Sequence, residues 1–438
     1  MRVLMSTFGS EGDLNPPVAI GKALRQFGAE VDFIANPFFE QRVLSEGLSF
    51  VGAGPFADLD NILKVDPSLL HPIKGPRQVW KMLLRSVEDV FPVASQQIEK
   101  QRPDIVVSHV IELAAQWAAR KYRIPYVTIS TTPLIWCSKD DPVDFGKHLR
   151  PTWLNSISFR MFVWISEVYF SASTQKLRKR FQLPGTYGSV RSIFTESVLN
   201  LGCWSALYRS EACDDPANSL VTGFTIERQR DPDRIPKGMT EWLSQGSPPV
   251  IVGLGSTARW QGRHIYGAVA KVCAGLQKRC LLIGPDLKDL ENLEIGIRTA
   301  RELPFREVFP YACVLVHHGG LSTTAQALFA GCPQLVVPFA HDQFNNAARV
   351  KRLGAGLSLP SGKISEKSVK KVFDQFLNDQ QMNQRTRALA LKFQQQPYGP
   401  DLAAKAILEV LGTPCACQPP MEPQLGHRLQ HADSLKCS

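Results

Sequence analysis

Residues 317–324 read HHGGLSTT, set between the apolar run ACVLV and the helix-like AQALFAG. Histidines, glycines and hydroxyl residues packed this closely suit the holding of an anion. A parallel strand that ends in glycines and feeds a helix aims several backbone N–H groups at one spot. The helix dipole adds partial positive charge there, so a phosphate binds well. Ser322 or Thr323 can cap the helix, and Thr323 with Gln326 fits a capping box. A plain strand, turn and capped helix would account for the glycines and hydroxyls but not for the histidines. Successive strand residues face opposite sides, so one of His317 and His318 faces a cleft. His341 and Asp342 follow the next strand, PQLVVPFA, and with His317 could form a His/His/Asp metal site. The glycine-rich helix start fits phosphate better.

Such a loop needs strands and helices to position it, and the chain supplies them in alternation. RVLMSTF reads as a strand, and PPVAIGKALRQFG as a helix with Ile20, Ala23, Leu24 and Phe27 on one face, closed by Gly28. VDFIAN, a helix around FFEQRVLSEG, LSFVGA, DIVVSHV, ELAAQWAARKY and PYVTIS continue the pattern. It begins again at PPVIVGLGST and runs through RCLLIG, CVLVHHGG, PQLVVPFA and LSLP. Apolar strands alternating with helices imply parallel sheets covered on both faces. The expectation is an α/β chain of two Rossmann-like parallel-sheet domains facing across a cleft. Residues 1–225 form the first domain, the charged, Pro- and Gly-rich 226–248 a linker, and 249–412 the second domain. Residues 413–438 lose periodicity and read as a disordered tail.

One segment breaks the alternation. WLNSISFRMFVWISEVYF, residues 153–170, is a helix-like run with Leu154, Ile157, Met161, Trp164, Ile165 and Val168 on one face. It is either a core helix of the first domain, or the acceptor pocket or membrane-facing lip of a site for a greasy substrate. In the second case Phe162 and Trp164 are the acceptor residues.

Composition is that of an ordinary soluble globular protein, and 438 residues give room for two or three domains. A net charge of +10 without long basic blocks favours anionic small molecules or an acidic membrane surface over nucleic acid. Ten cysteines scattered through apolar runs suit reduced, buried thiols in the cytoplasm. The N-terminus is too short and polar for a signal peptide, and no window reads as a membrane span.

The stretch HHGGLSTTAQALFAGCPQLVVPFAHDQFNNAARVKRLGAG resembles the donor-binding signature of GT-B fold, family 1 (UDP-glycosyltransferase-like) glycosyltransferases. GSEGDLNPPVAIGKAL resembles that family's first loop and helix. Within the family the chain looks most like the bacterial branch with the rhamnolipid rhamnosyltransferases, sterol glucosyltransferases and antibiotic glycosyltransferases. AHDQFNNAARVKRLGAG and NILKVDPSLLHPIKGPRQVW favour the rhamnolipid type. The resemblance implies a metal-independent, inverting transferase. It moves a hexose from a UDP- or dTDP-sugar to a hydroxyl of a lipid, sterol or secondary metabolite. There is no cofactor, the nucleotide sugar being a co-substrate. Ser256, His317, Gly319, Gly320, Ser322 and Thr323 match diphosphate-binding positions. Asp342 and Gln343 match those that grip sugar hydroxyls. The nucleobase docks near Leu303 and Pro304, where Leu-Pro-Phe replaces the family's commoner Val-Pro-His.

The family's first loop often carries a catalytic histidine, and Asp13 stands at that position here. Asp13 could merely cap the helix. Asn15 followed by Pro16 is the better cap and first-turn pair, which leaves Asp13 to face the cleft as general base. His109, after DIVVS, orients Asp13 or the acceptor, or is a satisfied core histidine. The expected setting is cytoplasmic, at the inner face of the membrane, with peripheral membrane association and no nucleic acid. The Asp-x-Asp triplets at 58–60 and 231–233 resemble a metal motif of other sugar transferases but are common by chance.

Two competing readings keep the fold and change the chemistry. A GT-B nucleotide-sugar 2-epimerase needs no acceptor pocket, and the aromatic 153–170 segment argues against it. A catalytically inactive nucleotide-sugar-binding protein would not need Asp13. A nicotinamide oxidoreductase is disfavoured because GSEGD lacks the third glycine of the dinucleotide fingerprint.

Overall fold

In a computed structural model of the chain, the apolar runs form thirteen strands among the described residues, in two all-parallel sheets. The structure describes residues 1–71, 74–136, 138, 141, 152–227, 231–293 and 296–412. The expected tail, 413–438, lies outside them. The first sheet contains β1 (Arg2–Ser6), β2 (Glu30–Ala35), β3 (Ser49–Gly52), β4 (Ile105–His109), β5 (Tyr126–Ser130), β6 (Leu199–Gly202) and β7 (Ser219–Val221), in the order β3-β2-β1-β4-β5-β6-β7. The second contains β8 (Val250–Gly253), β9 (Cys280–Ile283), β10 (Ile297–Ala300), β11 (Val314–His317), β12 (Gln334–Val336) and β13 (Gly356–Ser358), in the order β10-β9-β8-β11-β12-β13. Strands such as IVVSH and YVTIS are buried along their whole length, as a sheet covered on both faces requires.

Strand order reverses between β1 and β4 in the first sheet and between β8 and β11 in the second. At such switch points the loops leaving the strand ends part and open a crevice. The segments 7–13 and 109–112 therefore sit at one crevice, and 254–256 and 318–323 at the other. The two crevices face each other.

The helix Gly399–Val410 was expected with the second domain. Instead it buries Ala403, Ala404, Ile407 and Leu408 in the core built by Val18, Ile20 and Leu24 of the helix Glu11–Gln26. Its small residues and two leucine-like side chains fill the outer face of the first sheet. Part of the expected linker also has a fixed place, since Ile235 and Leu243 pack against Ile251, Leu281 and Val308 of the second domain. In the opposite direction, Leu63, Leu69 and Leu70 of the first domain enter the second domain's core. A shared aromatic cluster, with Trp136, Trp204, Tyr208 and Phe224 against Leu328 and Val350, completes the join.

Residues 152–180 form one helix. It is anchored by buried Phe170 and Leu177, while Met161, Trp164, Ile165, Val168 and Tyr169 stand exposed. The core-helix expectation is thus not met at Met161, Trp164, Ile165 and Val168, while the side chains of Leu154 and Ile157 lie outside the described residues. Among the described residues no helix is long and apolar enough to cross a membrane.

Candidate active site

A cavity of about 980 Å³ lies between the carboxyl ends of the two sheets. Its walls carry Asp13 from the first domain and Ser256, His318, Ser322, Thr323 and Asp342 from the second. A neighbouring cavity of about 530 Å³ shares Ser256, Phe305, Ser322 and Gln326 and adds Leu303 and Pro304. Phe305 stacks on Phe309 with ring centroids 4.7 Å apart, which fixes a flat apolar wall there.

Asp13 is held differently from the expectation. The helix begins at Glu11, with Ser10 as its cap, and both Pro16 and Pro17 lie inside it. Asp13 is therefore the third helical residue, where a carboxylate reaches back to the cap. Its Oδ2 accepts from the Ser10 N–H at 2.9 Å and from Ser10 Oγ at 3.0 Å. Pro17 has no N–H to give to the Asp13 carbonyl one turn back, and Thr7 Oγ1 takes that carbonyl instead at 3.2 Å. Gly9, at φ +126°, lets the loop pass close, since a Cβ there would stand 2.3 Å from Asp13 Oδ2. Asn15 and Pro16 do not start the helix because Ser10 already does.

The other carboxylate oxygen faces inward. Thr131 Oγ1, just past β5, lies 3.4 Å from Asp13 Oδ1 and 2.9 Å from His109 Nε2. His109 Nε2 is itself 3.7 Å from Asp13 Oδ1. The Ile111 N–H points at His109 Nδ1 at 3.4 Å, which leaves Nε2 to carry the ring proton. Burial pushes the His109 pKa down, and the Asp13 charge opposes that shift. The geometry is a chain of hydrogen bonds, His109 to Thr131 to Asp13. Thr131 escaped the sequence reading; the one available signal was its hydroxyl directly after the strand PYVTIS.

Strand alternation does separate the two histidines, but opposite to the expectation. His317 is fully buried, with Nε2 2.9 Å from Gln334 Oε1 and Nδ1 accepting from the Gly319 N–H at 3.2 Å. Burial pushes its pKa down to about 4. It braces the turn from inside and does not reach the cleft. His318 lines the cavity, and its Nδ1 is buried without a hydrogen-bond partner. Burial, with His317 beside it, pushes its pKa down to about 3, so the ring is neutral. Added Cβ atoms at Gly255 and Gly320 would stand 2.4 and 2.6 Å from this ring. Glycines in both loops make the space that His318 fills.

The helix Leu321–Ala330 starts at Gly320, which has no side chain to cap it. The expected caps do not form: Gln326 Nε2 lies 3.4 Å from Ser322 Oγ instead of reaching back. The first-turn N–H groups thus face the cavity with no side-chain acceptor of their own. Gly319, at φ +94°, makes the turn, and its carbonyl accepts from Asn346 Nδ2 at 2.8 Å.

Asn346 Nδ2 also donates to Asp342 Oδ2 at 2.9 Å. Burial holds the Asp342 carboxyl above its ordinary value, and the charge of Asp13 across the cleft pushes the same way. Gln343 lines the cavity, but its Oε1 accepts from the Phe339 and Ala340 N–H groups and so shapes the loop. His341 Nε2 sits 3.1 Å from the Leu69 carbonyl, so the trio of His317, His341 and Asp342 does not assemble. Among the described residues no group of three or more His, Cys, Asp or Glu could hold a metal ion. Trp164 is absent from both cavity walls and exposed, which corrects its expected acceptor role. The side chain of Phe162 lies outside the described residues. The apolar wall of the cavity comes instead from residues such as Leu63, Leu70, Val79 and Met82.

Residues 281–409 match the family described as "Erythromycin biosynthesis protein CIII-like, C-terminal domain". The chain is 27% identical over 410 residues to O-mycaminosyltylonolide 6-deoxyallosyltransferase of Streptomyces fradiae, covering 89% of this chain and 93% of that one. It is 25% identical over 379 residues to a sterol 3-beta-glucosyltransferase of Pichia angusta, covering 82% of this chain and 30% of that longer protein. In fold it is similar to the glycotransferase of kitacinnamycin, with a TM-score of 0.71 at 20% identity, covering 94% and 99% of the two chains. Two facing parallel sheets, a matching C-terminal domain and relatives aligned along most of the length agree with one another. The chain has the GT-B fold, resembles the antibiotic and sterol glycosyltransferases along most of its length, and is a transferase enzyme.

Proposed function

We propose that the chain moves a hexose from a UDP- or dTDP-sugar to a hydroxyl of a hydrophobic acceptor such as a lipid, sterol or secondary metabolite, inverting the anomeric centre. The observation that carries this is the facing of Asp13 and Asp342 across one cavity, beside an uncapped helix start. The diphosphate rests on the N–H groups of the first turn after Gly320, with Ser256, Ser322, Thr323 and the neutral His318 as donors. Gly319 positions that turn, and Leu303, Pro304 and Phe305 give the base its wall. Asp342 receives sugar hydroxyls, and Gln343 holds the loop that carries it. The acceptor lies along the apolar wall with its hydroxyl at Asp13.

In the step itself, the acceptor oxygen forms a bond to the anomeric carbon as the carbon–oxygen bond to the diphosphate breaks. The electron pair leaves with the diphosphate, where the helix start and its donors meet the new charge without a metal. The acceptor's proton passes to Asp13. His109 and Thr131 act as positioning residues that hold the carboxylate through Oδ1. Attack from the first-domain side, opposite the leaving group, inverts the centre. The setting proposed is the cytoplasmic face of a membrane, where a greasy acceptor is found.

The test incubates purified protein with a panel of nucleotide sugars and a hydrophobic alcohol. Product by mass spectrometry and anomeric configuration by NMR are read together. A product of retained configuration would remove the inverting step. A donor epimerised at C2 in the absence of acceptor would favour the epimerase reading.

A further inference from the structure

We propose that the exposed face of the helix 152–180 is a docking surface for an anionic lipid bilayer, next to the acceptor cavity. The proposal rests on the reading of a hydrophobic acceptor only in explaining why the surface is useful. Met161, Trp164, Ile165 and Val168 recur at helical spacing and are 57%, 66%, 50% and 52% exposed, with Tyr169 alongside. These five are nearly half of the large apolar side chains left exposed among the described residues, gathered on one helix. A stripe of this kind, with aromatic and aliphatic side chains together, matches an interfacial helix that lies in the headgroup region.

Charge decides the kind of lipid. Continuing the same face, Lys176 and Lys179 are exposed, and Arg160 is exposed at its other end. Glu167, the one carboxylate in residues 152–180, is turned away from this role. It accepts from the N–H groups of Val190 and Arg191 at 3.0 and 2.7 Å and caps the next helix. The face therefore offers apolar side chains and cations without an opposing carboxylate of its own. Anionic headgroups fit that pattern; zwitterionic ones gain only the apolar part.

The surface is tied to the cavity by packing. Trp80, on the helix Lys74–Gln101, rests on Tyr169 and Phe170 with ring centroids 6.2 and 5.4 Å away. Its Nε1 donates to Ser173 Oγ at 3.0 Å. The same helix gives Val79 and Met82 to the cavity wall and carries exposed Arg77, Lys81 and Arg85 at spacings of four. Those three extend the basic surface toward the cavity, whose wall holds Arg85 together with Glu88 and Asp89, Glu88 pairing with Arg180 at 3.0 Å. A bilayer held on this face puts its apolar layer beside the cavity that takes the acceptor.

Flotation of the full chain with vesicles tests this without donor or acceptor, so it stands or falls apart from the catalytic reading. Binding to vesicles of phosphatidylcholine mixed with phosphatidylglycerol is expected. It should be roughly ten-fold weaker with phosphatidylcholine alone and should fall with salt. Trp164→Ser with Ile165→Ser should weaken it by at least roughly ten-fold, and Lys176→Glu with Lys179→Glu should remove the preference for phosphatidylglycerol. Both variants should keep the wild-type melting temperature, because the changed side chains are exposed. No binding by the wild type, or undiminished binding by both variants, overturns the proposal. So does light scattering that finds a wild-type dimer and a Trp164→Ser/Ile165→Ser monomer, since the face would then belong to a second copy.

Discussion

The two oxygens of the Asp13 carboxylate have different neighbours. Oδ2 is held by Ser10, while Oδ1 faces Thr131 and His109. Asp13→Asn keeps size and part of the bonding to Ser10 but cannot take a proton. Transfer is expected to fall roughly 10²–10⁴-fold with little change in donor affinity, measured by single-turnover kinetics and calorimetry. A wild-type rate in that variant would put the base elsewhere, with His109 next in line. Thr131 acts one step removed. Thr131→Val should lower the rate by about ten-fold, the order of one lost hydrogen bond, and alter the pH profile of kcat, whereas Thr131→Ser should restore both. A Val variant that loses melting temperature but keeps the wild-type profile would make Thr131 merely structural.

At the scale of elements, the start of the helix Leu321–Ala330 is left for a ligand because its cap is glycine. Gly320 has φ −61°, so glycine is not required by the backbone there. It is required by His318, whose Nε2 would lie 2.6 Å from a Cβ. Gly320→Ala is therefore expected to displace the ring, and with it one donor hydrogen bond worth about 0.5–1.5 kcal/mol. Nucleoside-diphosphate affinity by calorimetry should drop by roughly three- to ten-fold. Unchanged affinity would show that His318 takes no part in holding the donor. The helix Glu11–Gln26 shows the other side of the same economy. Its internal prolines open the Asp13 carbonyl to Thr7, which pins the loop that carries the carboxylate.

Over the whole molecule, the join between domains runs through side chains that also hold the site. Tyr208 Oη donates to Asn346 Oδ1 at 2.9 Å, and Asn346 in turn grips Gly319 and Asp342. Asp141 pairs with Arg349 and, at 3.1 Å, with Arg352, and burial is offset there by the two cations, which hold its carboxyl below the ordinary value. Global stability should carry the mark of the buried histidines. A histidine with a folded pKa below its ordinary 6.5 binds fewer protons folded than unfolded between the two values. Its stability contribution is whole above pH 6.5 and is lost as pH falls toward about 4 for His317. That loss is on the order of 3 kcal/mol for His317 alone, with His109 and His318 acting in the same direction. Urea denaturation at a series of pH values should find stability falling across that window. His317→Gln, which cannot charge, should flatten the slope while leaving donor affinity within about two-fold, since His317 does not touch the cavity. A steep slope retained in that variant would place the proton uptake elsewhere.

Periodicity alone determined much of this protein. Apolar runs alternating with amphipathic segments require parallel sheets covered by helices, and glycine-ended strands entering helices mark where a phosphate can sit. Those features are local, so they were legible in RVLMSTF, CVLVHHGG and their neighbours. Which of two adjacent histidines faces the cleft was not local. Alternation says only that they differ; the partner Gln334 on β12, and the space made by Gly255 and Gly320, decide that His317 goes in and His318 out. The cap of the first helix was misplaced for a related reason. Asn15-Pro16 is the better local signal, but the hydrogen bond from Thr7, six positions back, makes prolines inside the helix tolerable and lets Ser10 begin it. Spacing could place Trp164 on an apolar face but not say what that face meets, because an apolar stripe looks the same whether it enters a core, a pocket or a surface. The last helix, near in sequence to the second domain, lies on the first because Ala403, Ala404 and Ile407 fit the bare face of the helix Glu11–Gln26. Contacts that no local pattern specifies, from a few positions apart to several hundred, settle such choices, and only the folded chain brings them together.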